Sequence, residues 1–276
     1  PGSSVCFDVP SGWFGANAGG NFAAEPLQNG GAVQALPCPG GTFSADGTGP
    51  CIHIDAGNFG SIDSETYASQ GATLQVECFG GTFKDADSTG PCIDIDAGKY
   101  GSDADEMYKE RGAIKQVPCA AGFYSSDGDG DCTAAKAGQF TADANGDYVE
   151  SGAVAAVDCP GGTFNDDNLQ KCDPIPAGNM GWDNAANAYV ARGATQQVVC
   201  AAGTWNRDGF GSCDQIPAGS RGQQKSDSAF LNSGADSIGL CVAGTHSSTG
   251  SGDCQNCAVG SYADSPGSSV CFDVPS

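Results

Sequence analysis

Apolar side chains in this chain come in short clusters separated by glycine and polar turns, and the clusters recur at a fixed interval. Each cluster opens with a cysteine, two further residues and usually Gly-Thr-aromatic, as in Gly41-Thr42-Phe43, Gly81-Thr82-Phe83, Gly162-Thr163-Phe164 and Gly203-Thr204-Trp205. A polar turn follows, such as Asp46-Gly47-Thr48-Gly49 or Asp208-Gly209-Phe210-Gly211, and then a second cysteine. β-Branched and aromatic residues flanking a glycine-containing polar turn predict a short β-hairpin with a cysteine at each end. Beyond it the chain reads Ala-Gly-x-aromatic, at Ala56-Gly57-Asn58-Phe59, Ala97-Gly98-Lys99-Tyr100 and Ala137-Gly138-Gln139-Phe140. Tyr-x-x-x-Gly-Ala then recurs from Tyr67, Tyr108, Tyr148 and Tyr189.

The first cysteines, Cys38, Cys78, Cys119, Cys159, Cys200 and Cys241, lie 40 or 41 residues apart, and each is followed 13 or 14 residues later by Cys51, Cys92, Cys132, Cys172, Cys213 or Cys254. A fixed period of this size marks tandem modules. Their boundaries read as the end of a module continued from a preceding copy (1–37), full modules at 38–77, 78–118, 119–158, 159–199 and 200–240, a short module at 241–256, and the start of a further one at 257–276. A longer period overlies this one: PGSSVCFDVPS stands at Pro1–Ser11 and again at Pro266–Ser276, an offset of 265 residues. We read the chain as one super-repeat and the start of the next, expected either to continue at both ends or to polymerise head to tail.

Three residues past each second cysteine an apolar side chain recurs, at Ile54, Ile95, Ala135, Ile175 and Ile216, with Val9 and Cys257 in the same register. Each module therefore reads as two related half-modules, one stapled by a disulfide and one in which an apolar side chain replaces a cysteine. Neighbouring modules must bury what the missing bridge does not hold, which is the logic of a solenoid. The expected fold is mainly β and disulfide-rich, with tandem hairpin modules stacked into an elongated, solenoid-like rod.

Composition sharpens this picture. Leu, Ile, Val and Phe number 43 of 276 residues and the net charge is −22, a combination that cannot offset chain entropy by burial alone. Covalent links must contribute, and 15 evenly spread cysteines place the chain in an oxidising, extracellular compartment or at a cell surface. No stretch approaches the roughly 20 apolar residues that span a bilayer, so no membrane insertion is expected in this segment. With 33 acidic against 11 basic residues, nucleic acid is excluded as a partner by repulsion from the phosphates.

The hairpin reading favours the pairs Cys38–Cys51, Cys78–Cys92, Cys119–Cys132, Cys159–Cys172, Cys200–Cys213, Cys241–Cys254 and Cys257–Cys271. Closing a loop of about 14 residues contributes on the order of 3 kcal/mol, decisive for modules too small to bury much surface. The rival connectivity joins each second cysteine to the next first one, for example Cys51–Cys78, and requires a Cys254–Cys257 ring. Cys6, the counterpart of Cys271, is left over as a candidate for a disulfide between copies.

The string Cys-x-x-Gly-Thr-aromatic, turn, Cys-x-x-Cys-x-x-Gly-Ser-Tyr over Cys241–Cys271 resembles the ephrin-receptor-like cysteine-rich repeat. It is also similar to the simplest disulfide loop of tumour-necrosis-factor-receptor modules. The resemblance covers residues 241–271 well and the rest weakly. It implies extended, disulfide-laddered ectodomains and supports the short pairing at Cys241–Cys254 and Cys257–Cys271. Repeats of this kind occur in large surface proteins of protists, a flagellar-hair filament among the settings the resemblance permits. The other modules depart from the pattern by lacking every second cysteine pair.

Candidate chemistry is sparse. Asp127, Asp129 and Asp131 offer hard oxygen ligands for weak extracellular calcium, but an EF-hand would need a bidentate Glu where Gly138 stands, so a solvated turn is the simpler reading. Cys254-x-x-Cys257 lacks the βαβ context of a redox catalyst, and the cysteine intervals do not form zinc knuckles. His246 occupies the aromatic slot after Gly244-Thr245, and His53 lies between Ile52 and Ile54 on a predicted strand, facing solvent. Trp13, Trp182 and Trp205 sit at unrelated places in the modules, whereas Phe43, Phe83 and Phe164 are expected to form small hairpin cores. No constellation for acid–base or nucleophilic catalysis is present, so the chain is not expected to be an enzyme, and no cofactor or catalytic residue is assigned. The chain has no Asn-x-Ser/Thr sequon, which leaves O-linked glycans on Ser and Thr as the only expected sugar. The expected function is a structural subunit of an extracellular filament or surface appendage that pairs with itself head to tail. The alternative is an adhesin or receptor ectodomain for a protein or glycan, with Trp13–Leu36 or the Cys241 module as the candidate patch.

Overall fold

Among the residues described by this computed structural model, 6–23, 31–86 and 89–275, the strands are short and antiparallel, paired two by two except in one three-stranded sheet, with isolated parallel bridges such as Phe43 to Ala72 beside them. No helix occurs among these residues, so none is long and apolar enough to cross a membrane. The chain divides into two compact units, one of Pro1–Thr133 with Ser151–Ala155 and one of Ala134–Glu150 with Ala156–Ser276.

Two hairpins alternate along each unit. The first kind has two-residue strands: Thr42–Phe43 with Ile52–His53 and Thr82–Phe83 with Ile93–Asp94 in one unit, and Thr163–Phe164 with Asp173–Pro174 and Thr204–Trp205 with Asp214–Gln215 in the other. The Gly-Thr step explains its sharp entry. Gly41 and Gly203 sit at φ +80° and +79°, a left-handed conformation that L-residues with a Cβ resist. The threonine hydroxyl then donates back across the turn, Thr42 Oγ1 to Pro39 O and Thr204 Oγ1 to Ala201 O, both at 2.7 Å.

The second kind is longer and follows the Ala-Gly signal. Asn58–Ser61 pairs with Leu74–Glu77, Lys99–Ser102 with Lys115–Pro118, Asn179–Asp183 with Gln196–Val199, and Ser220–Gln223 with Ser237–Leu240. Aspartates close some of the connecting loops by accepting backbone N–H groups, an Asx-turn device. Asp63 Oδ1 accepts from Glu65 N and Thr66 N at 3.0 and 2.7 Å, and Asp143 Oδ1 accepts from Asn145 N and Asp147 N at 2.8 and 3.0 Å.

The interior is made of small residues. The first cysteines Cys38, Cys78, Cys119, Cys159, Cys200 and Cys241 are at most 1% exposed, and the alanines of the Gly-Ala signal, Ala72, Ala113, Ala153, Ala194 and Ala235, at most 2%. Ile54, Ile95, Ala135, Ile175 and Ile216 are buried beside them, the positions where an apolar side chain stands in for a cysteine. In the hairpin of Gly60 this packing is tight, because a Cβ there would press on Ile54 Cδ1 and Ala72 Cβ. Phe43, Phe83 and Phe164, expected as the hairpin cores, are only half-buried. Two-residue strands give an aromatic ring one covered face, so burial falls on the cysteine, alanine and isoleucine instead.

Candidate functional site

The feature built repeatedly and with the same atoms is the joint between consecutive modules. In the joint of Gly178, its N–H donates to Asn206 O at 2.7 Å while its C=O accepts from Cys200 N at 2.8 Å. Asn206 N donates to Ala235 O at 3.0 Å and Gly234 N to Cys200 O at 2.8 Å, which completes the circuit. The same four-bond pattern links Gly12 with Cys38, Ser44 and Gly71-Ala72, Gly57 with Cys78, Lys84 and Gly112-Ala113, and Gly98 with Cys119, Ser125 and Gly152-Ala153, all in one unit. In the other unit it links Gly138 with Cys159, Asn165 and Gly193-Ala194, and Gly219 with Cys241, Ser247 and Gly267-Ser268. A Cβ on Gly178 would overlap the carbonyl oxygen of Gly234, and φ is +80°. Only glycine permits this backbone-on-backbone contact.

Six residues past each first cysteine lies a buried polar side chain that locks the joint: Ser44, Lys84, Ser125, Asn165, Asn206 and Ser247, all at most 6% exposed. Asn206 is fully used. Its Nδ2 donates to Phe210 O and Gly211 O at 3.2 Å each, and its Oδ1 accepts from Asp208 N and Gly209 N at 3.2 and 2.9 Å. Asn165 repeats this with Gln139 O, Gln170 O, Asp167 N and Asn168 N, and Ser247 Oγ donates to Ser220 O at 2.8 Å. Burial holds the Lys84 ammonium below the usual lysine range, opposed by the nearby Asp85 carboxylate. The position is hard to see in the residues because its type varies among serine, lysine and asparagine. The signal is its constant offset from the cysteine and a polar residue directly after the aromatic slot.

The structure joins Cys38–Cys51, Cys78–Cys92, Cys119–Cys132, Cys159–Cys172, Cys200–Cys213, Cys241–Cys254 and Cys257–Cys271. Each bridge brackets one short hairpin, and the six from Cys38–Cys51 to Cys241–Cys254 tie the loops in which the buried polar residues sit; the equivalent place in the Cys257–Cys271 loop is the buried Ala263. Cys6 is exposed and outside these seven pairs.

The other candidate groups disperse. Asp127, Asp129 and Asp131 are exposed, and their carboxylates do not gather within 4.8 Å of one another. Asp127 Oδ1 accepts from Asp129 N and Asp131 Oδ1 from Cys132 N, at 3.0 and 2.8 Å. His53 is exposed. His246 is half-buried, with Nδ1 3.1 Å from Cys271 Sγ. His246, Cys257 and Cys271 lie within 4.8 Å of one another, but the two sulfurs are bonded to each other and present no thiolate to a metal. Of the tryptophans, Trp13 is 38% exposed, and Trp182 and Trp205 are half-buried; the candidate patch Trp13–Leu36 falls in part outside the described residues. A groove of about 250 Å³ is lined by Phe140, Tyr148, Pro160, Thr163 and Lys171, with the Lys171 ammonium 5.7 Å from the Tyr148 ring centre.

Geometry thus defines a class: a tandem cysteine-rich repeat protein, mainly β, in which disulfide-closed hairpins are joined through a repeated backbone circuit. No known protein family matches the chain, and no curated protein matches it in sequence.

Proposed function

We propose that the chain is a structural subunit of an extracellular filament or surface appendage, assembled head to tail with copies of itself, and that it is not a catalyst. The observation that carries this reading is the joint. The same glycine, cysteine and buried polar residue recur at successive module boundaries, so adhesion between modules does not depend on any one pair of partners. Repetition of PGSSVCFDVPS at Pro1–Ser11 and Pro266–Ser276 lets the pattern be carried on by another copy. A heterologous contact of this kind generates an open fibre when its rotation does not close. A charge of −22 keeps fibres apart at low salt, and seven disulfides suit an oxidising, extracellular setting. In this reading the modules are akin to ephrin-receptor-like and tumour-necrosis-factor-receptor-like cysteine-rich repeats. O-linked glycans on exposed Ser and Thr would form its coat, and any calcium at Asp127, Asp129 and Asp131 would be weak and peripheral.

Negative-stain microscopy of native material with and without reductant tests it. Long fibres that fray in thiol are expected, whereas discrete globules indifferent to thiol would refute it. A second reading, an adhesin or receptor ectodomain, is favoured by the groove of Phe140, Tyr148 and Lys171. Saturable binding to a glycan array that is lost in Tyr148→Ala would select that reading.

A further inference from the structure

The short hairpin of the module at 200–240 departs from its siblings at a cluster of positions. Trp205 fills the aromatic slot held by Phe43, Phe83, Tyr124 and Phe164. Across the hairpin Trp205 pairs with Asp214, whereas Phe43 pairs with Ile52 and Phe83 with Ile93. Arg207 and Phe210 replace Ala45 and Thr48, Ser126 and Asp129, or Asp166 and Leu169 of hairpins of the same length. A joint needs none of these changes, since its glycine, cysteine and buried polar residue are kept here as elsewhere.

The altered side chains meet around a cavity of about 320 Å³, lined by Trp205, Arg207, Asp208, Phe210, Ser212 and Asp214. That volume lies at the lower end of ligand pockets, about 300–1,000 Å³. Trp205 is half-buried and forms the apolar surface. Directly opposed residues of an antiparallel pair share a face, so the exposed Asp214 carboxylate stands beside the indole. Asp208 is held in place: its Oδ1 accepts from Phe210 N at 3.1 Å and its Oδ2 lies 3.6 Å from the Arg207 guanidinium. Phe210 is 62% exposed, yet its ring rests on the backbone of the preceding hairpin, where a Cβ on Gly162 would meet it at 2.8 Å.

We propose that this cavity binds one neutral hexopyranose ring of a glycan, stacked on Trp205. The apolar C–H face of a sugar ring matches the negative face of an indole. Each sugar hydroxyl both donates and accepts, and the wall offers both functions: the Asp208 and Asp214 carboxylates accept, Arg207 donates, and Ser212 does either. An anionic sugar would face two carboxylates against one guanidinium. A quaternary ammonium, the other guest that suits an indole face, would leave Ser212 idle and be opposed by the Arg207 charge. The site is separate from the groove of Tyr148 and goes beyond the filament reading without resting on it; a fibre of such chains would display one sugar site per copy.

The full chain with its disulfides intact is titrated with methyl β-galactoside, methyl β-glucoside and methyl α-mannoside, following the indole N–H resonances by nuclear magnetic resonance. Saturable movement of the Trp205 resonance is expected with at least one of them, with a dissociation constant on the order of 1–10 mM, the scale for roughly 13 non-hydrogen atoms in a small site. Trp205→Phe and Asp214→Ile each install the residue of a sibling module, so the fold is retained. Each should weaken binding about tenfold, the loss of one good contact, while Tyr148→Ala leaves it unchanged. No saturation with any of the three, binding unmoved by both substitutions, or tighter binding of tetramethylammonium or of methyl glucuronide overturns the proposal. Binding lost in Tyr148→Ala and kept in Trp205→Phe places the sugar in the other groove and also overturns it. Fibre formation reads out separately: fibres without sugar binding sink this site alone, and sugar binding without fibres sinks the filament reading alone.

Discussion

Replacing Gly178 with alanine should damage one joint and little else, and a matched control separates the two costs involved. Alanine at φ +80° carries a left-handed penalty of about 1 kcal/mol. In addition its Cβ would overlap the Gly234 carbonyl, so the backbones must part. That loosens the bonds from Gly178 N to Asn206 O and from Cys200 N to Gly178 O, at 2.7 and 2.8 Å. Two backbone bonds at about 1 kcal/mol each bring the expected loss to about 3 kcal/mol. Gly211 has φ +77° and nothing within 4 Å of a Cβ, so Gly211→Ala should show the conformational penalty alone, about 1 kcal/mol. Native-state amide exchange reads the effect locally. In Gly178→Ala the Cys200 and Asn206 amides should lose protection on the order of a hundredfold, the exchange equivalent of about 3 kcal/mol, while the joint of Gly138 is unchanged. Equal effects of the two substitutions would refute the claim that close backbone contact holds the modules together.

Two further outcomes follow from the same geometry. Asn206→Ala removes a buried side chain that serves four backbone groups, of which that of Gly209 is buried, which should cost about 2 kcal/mol in chemical denaturation; Asn206→Ser, which matches Ser44, Ser125 and Ser247, should cost less, and the reverse order would contradict the shared-slot argument. Backbone N–H groups of Thr66 and Glu65 hold the Asp63 carboxyl at about 2, below the ordinary aspartate value of 3.8, so its stabilising effect is complete above 3.8 and is lost as pH falls through about 2; a carboxyl resonance titrating with a midpoint near 3.8 would refute the Asx-turn assignment.

Much of the fold was legible in the residues because its determinants repeat. Glycine next to threonine fixes the sharp entry of Gly41-Thr42 and Gly203-Thr204, and the apolar position three past each second cysteine marks the buried Ile54, Ile95, Ile175 and Ile216. The longer hairpins, such as Asn58–Ser61 with Leu74–Glu77, were less legible. Their strands lack strict alternation, since Gly60 and Ser61 are buried for close packing rather than apolarity. Aromatic residues misled for the opposite reason: Phe43 and Phe83 are large enough to suggest a core, yet strands two residues long cannot enclose a ring. The joint was hidden because it is a backbone device. Lys84 and Asn165 fill equivalent positions while sharing little chemistry, and the carbonyl that excludes a Cβ at Gly178 belongs to Gly234, 56 positions away along the sequence.

Sulfur bridges and backbone circuits, rather than an apolar interior, hold the chain in shape. Far-ultraviolet circular dichroism and amide exchange of the full chain, before and after complete reduction and alkylation of the thiols, test this most directly. Reduction should abolish the β signal and the protection of the Cys78, Cys119, Cys159 and Cys200 amides together. A reduced, alkylated chain that keeps its spectrum and its slow amides would contradict the account.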